Sequence, residues 1–275
     1  MQIERNTKQK TIFLFYFRNA AYLRRQSKVV KKVKSEKFAA AIEKTLNFQL
    51  STLNFFVPLR QNYSEMDTIK KQFAQKLMDI KAIKLQPNEP FTWASGWKSP
   101  IYTDNRKTLG YADVRSFVKL ELCHAIQQEF PQAEAVAGVA TGAIAQGALV
   151  ADELGLPYAY VRPKPKDHGM GNQVEGELKK GAKVIVVEDL ISTGGSSLKA
   201  VEALRQYGVE VIGMVASFTY GFPVAEEAFR EAGVRLVTLS DYNAVLEQAA
   251  ETGYIKPEEI EVLKEWRKSP STWEQ

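Results

Sequence analysis

Val184-Ile-Val-Val-Glu188-Asp189-Leu-Ile-Ser192-Thr193-Gly194-Gly195-Ser196-Ser197 is the stretch on which the fold turns. It opens with four β-branched residues, a continuous apolar run that suits a strand buried on both faces. Two carboxylates follow, and a loop of small residues then starts a helix. Gly194 and Gly195 let backbone N–H groups converge on an anion, Thr193 and Ser196 add hydroxyl donors, and the helix N-terminus supplies a favourable dipole. Together these make a phosphate cradle. The spacing and Lys-Ser/Thr ending of a P-loop are missing, as is the three-glycine dinucleotide fingerprint. Glu188 and Asp189 beside the cradle suit a phosphorylated sugar, whose hydroxyls need acceptors.

Outward from this stretch, the chain from Met66 onward alternates short apolar runs with helical ones. Met66 to Ile83 reads as an amphipathic helix, with Ile69, Phe73, Leu77, Ile80 and Ile83 at helical spacing. Gln86 to Pro100 is a loop punctuated by Gly and Pro, ahead of an extended Ile101 to Asp104. Asp113 to Phe130 is a second helix, stopped by Pro131. Then come strand Ala135 to Ala140, helix Ile144 to Leu154, strand Tyr158 to Arg162, a polar loop, strand Lys183 to Val187, helix Ser196 to Tyr207 and strand Val209 to Ser217. Such alternation predicts an α/β fold, a central parallel sheet flanked by helices. Ligands of such sheets sit beyond the carboxyl ends of the strands, so the chemistry belongs just after Ala140, Arg162 and Val187.

Two of those three places carry signals of their own. After Arg162 the chain reads Arg162-Pro-Lys164-Pro-Lys166-Asp167-His168-Gly169-Met-Gly171, three cations and a histidine within seven residues, followed by glycines. The cations repel one another until an anion meets them, and the glycines permit a hinge. After Ala140, Thr141-Gly142-Ala-Ile144 offers small residues that can turn backbone N–H groups toward a diphosphate. Cys123 and His124, inside a helix, read as structural.

Glu188 to Ser197 resembles the phosphoribosyl pyrophosphate (PRPP) signature of type I phosphoribosyltransferases, and residues 66–275 resemble the orotate phosphoribosyltransferase family almost throughout. The resemblance implies that fold, with a small N-terminal hood. It implies that Glu188 and Asp189 hold the ribose hydroxyls, and that Leu190, Ile191, Ser192, Thr193, Gly194, Gly195 and Ser196 wrap the 5′-phosphate. Arg162, Lys166, Asp167 and His168 match the family's mobile loop, which implies PRPP binding by Arg162, Lys166 and His168. Lys166, Asp167 and His168 are its implied catalytic residues. Many relatives carry a second Lys directly after the Arg, where this chain has Pro163. Phe91-Thr-Trp-Ala-Ser95-Gly96-Trp-Lys98-Ser99-Pro100-Ile-Tyr102-Thr-Asp104-Asn105-Arg106 resembles the hood over orotate, so Lys98 and Tyr102, with Ser192, are implied to bind the base. Some relatives have a hood Lys where this chain has Ala94, and an Arg that reads the orotate carboxylate has no counterpart in Phe218 to Pro223. Lys98 and Arg106 are the residues left to balance that carboxylate. The resemblance further implies Mg²⁺ as cofactor, held by substrate oxygens and water rather than by a protein cage, and a homodimer sharing the loop between subunits.

Composition bounds the rest. The 275 residues are 45% hydrophobic and 25% charged with a single Cys, a globular profile with no disulfide framework or zinc module, and a reducing cytoplasm is expected. No apolar run approaches the roughly 18–20 residues that span a bilayer. The net charge of +5 is uneven: residues 1–65 hold 13 Lys/Arg against four Asp/Glu, leaving 24 against 28 for residues 66–275. Residues 1–65 also lack Gly and Asp yet carry half of the 14 Phe, which fits neither a disordered linker nor a domain built on glycine turns. The expectation is a poorly packed upstream extension without catalytic residues, with Met66 as the natural start. The run Thr11 to Phe17 is too short for a convincing signal peptide; the Arg-rich, acid-poor composition leaves a transit peptide open.

Two rivals stand beside the leading reading. One is a phosphoribosyltransferase for another base such as adenine. The other is a PRPP-sensing regulator with a basic DNA-binding N-terminus, against which stand the missing turns of a helix-turn-helix and the intact Lys166–His168 loop. Neither a nucleic-acid nor a membrane partner is expected.

Overall fold

In chain order, helix α1 (Tyr63–Asp79) leads into four short strands, β1 (Ile83–Leu85), β2 (Phe91–Thr92), β3 (Lys98–Ser99) and β4 (Ile101–Thr103). A 3₁₀ turn (Asn105–Gly110) and helix α2 (Ala112–Glu129) precede β5 (Ala135–Val139), α3 (Ile144–Leu154), β6 (Tyr158–Val161) and β7 (Val174–Glu175). Then come β8 (Lys183–Ile191), α4 (Gly195–Tyr207), β9 (Glu210–Thr219), α5 (Pro223–Glu231), β10 (Leu236–Asp241), α6 (Tyr242–Glu251) and α7 (Pro257–Lys268). These elements come from a computed structural model that describes residues 63–93, 96–164 and 173–273. The expectations for residues 1–62 lie outside the described residues.

The main sheet runs β10-β9-β8-β5-β6-β7. Its first five strands are parallel; β7 returns antiparallel along β6, with Tyr160 opposite Glu175. The expectation of an all-parallel sheet is corrected only at that edge. Strand order reverses between β5 and β8: the chain steps from β5 outward to β6, then from β8 outward the other way to β9 and β10. Such a switch point opens a crevice at the strands' carboxyl ends.

Alternate residues of β8 feed two separate cores. Ile185 and Val187 pack with α1, α2 and α6 on one face, while Val184 and Val186 pack with α4 and α5 on the other. Both faces are covered, which is why the run Val184 to Val187 is continuously apolar.

Element ends differ from the sequence reading for local reasons. Helix α1 stops at Asp79, four residues early: the N–H of Ala82 reaches the Leu77 carbonyl and that of Lys81 the Met78 carbonyl, a left-handed helix stop. Lys81 takes φ 54° there, a place usually marked by glycine, so the sequence shows no stop signal. Strand β8 runs four residues past Val187, because β9 keeps pairing with it as far as Ile191 opposite Thr219. The acidic pair is therefore inside a strand. The loop Gln86 to Pro100 contains the hairpin β2–β3, in which Phe91 faces Ser99. No described helix is long and apolar enough to cross a membrane.

Candidate active site

The acidic pair lies where β8 outruns β5. Pairing between the two ends at Gly138 opposite Val187, so on that side the backbone of Asp189 has no strand beside it. Side chains complete the ladder instead. The N–H of Asp189 donates to Glu188 Oε1 at 2.9 Å, and Asn105 Nδ2 donates to the Asp189 carbonyl at 2.6 Å. Glu188 is buried, and its Oε2 accepts from Ser197 Oγ at 2.8 Å. Burial, with the Asp189 charge next to it, pushes the Glu188 carboxyl well above the usual range, outweighing those two donors, which pull it down. Asp189 is partly exposed and carries the outward carboxylate of the pair.

That carboxylate overhangs the turn after β5. A Cβ on Gly142 would stand 2.0 Å from Asp189 Oδ2 and 2.7 Å from Oδ1, so glycine is what lets the acid lie against the turn. The base of the turn is fixed by Tyr158, whose hydroxyl donates to the Ile144 carbonyl at 2.7 Å and lies over Gly138 and Gly147.

After Ile191 only Ser192, Thr193 and Gly194 separate strand from helix, and α4 starts at Gly195. Gly194 has φ 80°, and a Cβ there would meet the Phe229 ring at 2.8 Å, so the bend requires glycine on two counts. Thr193, Gly195 and Ser196 are exposed at the mouth, where the first N–H groups of a helix lack intrahelical partners. Ile191 is fully buried and Leu190 partly so.

Across the crevice stands the hood, made of β1–β4. Trp93 Nε1 donates to the Ile101 carbonyl at 3.2 Å and Ser99 Oγ to the same oxygen at 2.9 Å. Trp93 packs on Tyr220, 5.3 Å between centroids, and the Tyr220 N–H donates to the Ile191 carbonyl at 3.1 Å, so the hood reaches the end of β8 through an aromatic residue. Helix α7 clasps this arrangement. Trp266, fully buried, donates from Nε1 to the Lys98 carbonyl at 3.1 Å, and Arg267 donates to the carbonyls of Tyr220 and Gly221 at 3.2 and 2.8 Å.

A phosphoribosyl transferase domain model matches residues 121–243. The chain is 66% identical over 208 residues to the orotate phosphoribosyltransferase of Porphyromonas gingivalis, covering 76% of this chain and 99% of that protein. It is likewise 66% identical over 209 residues to that of Phocaeicola vulgatus, again 76% and 99%. This chain belongs to the orotate phosphoribosyltransferase family. The crystal structure of orotate phosphoribosyltransferase from Aeropyrum pernix matches at 34% identity with a TM-score of 0.59, over 67% of this chain and 99% of that one. The type I phosphoribosyltransferase fold with its small hood is thus the fold of the described chain.

Within this family member, the structure gathers Glu188, Asp189, Ser192 to Ser196 and the 140–143 turn at one end of the sheet. Arg162 sits at the sheet's rim, where its Nη1 lies 3.3 Å from Glu175 Oε1, and Gln173 ties the two loop ends by donating to the Arg162 carbonyl at 2.8 Å. Lys166, Asp167 and His168 lie outside the described residues. Of the residues expected to bind the base, Lys98 donates from Nζ to Thr92 Oγ1 at 2.9 Å, and Tyr102 is exposed beside Phe91. Arg106 pairs with Asp104 at 2.7 Å, and its charge is further favoured by Asp189. Cys123 is buried, its thiol pushed up to about 12 by burial, as a structural cysteine should be. Sequence reasoning missed Asn105, the role of Ser197 as partner of Glu188, and the clasp by Trp266 and Arg267. Ser197 and Asn105 stood in motifs, without these roles; Trp266 and Arg267 did not.

Proposed function

We propose that this chain transfers the phosphoribosyl group of PRPP to N1 of orotate, giving orotidine 5′-monophosphate and pyrophosphate in pyrimidine (UMP) synthesis. The observation that carries the reading is the Asp189 carboxylate lying over Gly142, between the cradle at Ser192–Ser196 and the turn after β5. Three subsites thereby meet at one switch point: a cradle for the 5′-phosphate, acceptors for ribose hydroxyls, and a turn for pyrophosphate.

N1 of orotate supplies the electron pair for the new N1–C1′ bond and gives up its proton to water or to the departing pyrophosphate, and the C1′–O bond breaks with its electrons leaving on pyrophosphate. No strong protein base is required. The enzyme's work is to align two anions and to answer charge as it moves to the leaving group. Asp189 accepts from the ribose hydroxyls, with Glu188 fixed behind it. Ser192 to Ser196 hold the 5′-phosphate, with Leu190 and Ile191 contributing backbone. Arg162, Lys166 and His168 meet the pyrophosphate from the loop after β6, with Lys166 answering its developing charge and Asp167 orienting the loop. Ser192 and Tyr102 face the base. Arg106 already has Asp104 against it, whereas Lys98 has a neutral hydroxyl as partner, so Lys98 is the better counter-charge for the orotate carboxylate.

Mg²⁺ fits this donor set as an ion carried in by substrate. Among the described residues no three His, Cys, Asp or Glu side chains group to hold a metal, and Glu188 has both oxygens engaged by protein donors, which leaves Asp189. When bound, the ion neutralises pyrophosphate charge. We assign the chain to the cytoplasm as a homodimer whose loop serves the neighbouring subunit. We place residues 1–65 outside the catalytic unit, a reading supported by the two relatives, which are matched over 99% of their own length by 76% of this chain.

The test is the absorbance change of orotate with PRPP and Mg²⁺, on the full chain and on one begun at Met66. Consumption by both is expected. Orotate left intact would overturn the reaction, orotate-independent turnover of adenine would overturn the base, and loss of activity in the shorter chain would overturn the assignment of residues 1–65.

A further inference from the structure

Asn105 is nine-tenths buried or more, immediately after the last hood strand, and 84 residues away in sequence from the carbonyl it holds. In a parallel sheet the Asp189 carbonyl would be answered by the next residue of β5. Strand β5 instead ends at Val139 to form the turn, and Glu188 and Ala216 or Leu190 and Phe218 pair only on the β9 side. The Asn105 amide takes the vacated place at 2.6 Å. The reverse orientation of the amide would set two oxygens face to face, so Nδ2 must point at Asp189. The turn carrying Asn105 is itself pinned to α3, the helix that follows the pyrophosphate turn. Thr108 Oγ1 donates to the Asn105 carbonyl at 2.7 Å, and Gln146 Nε2 donates to Thr108 Oγ1 at 3.4 Å. One side chain therefore joins the wall that covers the base to the strand that carries the ribose acceptors.

We propose that Asn105 is a positioning residue for phosphoribosyl transfer: by holding the Asp189 carbonyl it fixes the hood against the acidic pair, and so the approach of the base nitrogen to C1′ of the sugar. This rests on the reading of the site given above. Alignment of this kind is worth about 100-fold for a displacement on the order of 1 Å, whereas PRPP affinity draws mostly on the cradle and the turn, which Asn105 does not contact, and on the Asp189 carboxylate, of which Asn105 holds only the backbone carbonyl. The inference therefore separates turnover from sugar-phosphate affinity.

The experiment compares the full chain with Asn105→Ala and with Asn105→Asp. The first removes the donor. The second keeps the shape and sets a carboxylate oxygen against the Asp189 carbonyl. PRPP affinity and the number of binding sites per chain are measured by titration calorimetry with Mg²⁺, and turnover with orotate is expressed per PRPP-binding site, which cancels any misfolded fraction. The expected result is a kcat per site reduced at least tenfold in Asn105→Ala and further in Asn105→Asp, with the PRPP Kd within threefold of wild type. A kcat per site within twofold of wild type in whichever variant folds would overturn the proposal. So would a PRPP affinity that falls as far as kcat, since Asn105 would then be building the sugar site rather than aligning the base with it. A wild-type chain that binds PRPP but leaves orotate unconsumed would instead refute the underlying reading of the base, and the two failures are distinguishable.

Discussion

The two walls of the crevice are built in opposite ways. The sheet wall is nearly contiguous: Glu188, Asp189, the Ser192–Gly194 loop and Ser197 fall within ten residues, and the bonds that orient Glu188 come from its immediate neighbour and from Ser197. The hood wall is assembled from a distance. Its Lys98 carbonyl is held by Trp266, 168 residues later, and its link to Ile191 passes through Tyr220, which Arg267 holds in turn. A wall made locally is rigid as soon as its strand and helix form. A wall tied by remote residues depends on the docking of the C-terminal helix. The difference predicts that damage to the first should abolish chemistry with the fold intact, while damage to the second should loosen the base and the fold together.

The sharpest way to test the sheet wall is Gly142→Ala. The added Cβ would land 2.0 Å from Asp189 Oδ2, and a carboxylate can swing aside at little cost to folding. It would then leave the position in which we propose that it meets the sugar. Turnover is expected to fall by about 100-fold or more, with a melting temperature within a few degrees of wild type. Gly138→Ala, four residues earlier, provides the contrast. Its Cβ would meet the Ala143 carbonyl oxygen at 2.8 Å as well as the Tyr158 hydroxyl at 2.5 Å, and backbone cannot step aside. Overpacking there should cost roughly 1–3 kcal/mol, read as lost thermal stability. If both variants lost stability equally, the turn and the acid would not be the independent features the geometry makes them.

The same asymmetry explains what the amino-acid sequence discloses. The sheet wall is legible because its chemistry is written in consecutive residues: an apolar run, two acids, then small residues with a glycine bend. Its strand-helix alternation carries the fold for the same reason. The end of α1 was not legible, since Lys81 takes the left-handed position that glycine usually marks. Nor was the end of β8, because a strand continuing through two carboxylates looks like a strand that has stopped. The hood's supports could not be read at all. Trp266 and Arg267 sit in a helix whose sequence reports only amphipathic spacing, and Asn105 looks like an ordinary turn residue until β5 is seen to end opposite it. Partners separated by 84 or 168 residues leave no local signature.

For the hood, Trp266→Phe breaks the clasp with least collateral damage. A phenyl ring keeps most of the packing against Trp93, Tyr220, Phe222 and Tyr242, but the Lys98 carbonyl loses its donor. A fully buried acceptor left unanswered costs about 1–3 kcal/mol, and this part-buried one should cost less. The expected outcome is a several-fold rise in the KM for orotate with the KM for PRPP unchanged, from steady-state kinetics with each substrate varied in turn. Trp266→Ala, which empties a fully buried site, should instead cost about 3–5 kcal/mol of stability. A rise in the PRPP KM equal to that for orotate would show that α7 supports both walls, and the contrast between them would fail.

The smallest effect concerns pH, and it belongs to the sheet wall. Burial and the neighbouring Asp189 raise the Glu188 carboxyl in the folded chain above its value in the unfolded one, so the folded chain holds that proton more tightly. Below the unfolded value, about 4.3, both states are protonated and the contribution to stability is complete. As pH climbs from there through the folded value, the unfolded chain ionises first, and stability is lost until Glu188 is charged in both states. Glu188→Gln removes this titration while keeping an acceptor for the Asp189 N–H and a donor that Ser197 Oγ can accept. The variant's melting temperature should therefore gain on wild type between pH 4 and 8, by a few degrees, and then level off; taking the difference between the two proteins cancels the titrating groups that do not interact with Glu188. A difference that stayed flat across that range would mean that the Asp189 N–H and the Ser197 hydroxyl fully offset the cost of burying the charge, so that Glu188 holds its proton equally in the folded and unfolded chain. A difference that changed in the opposite direction would show that those two donors hold the charged form more strongly than burial opposes it.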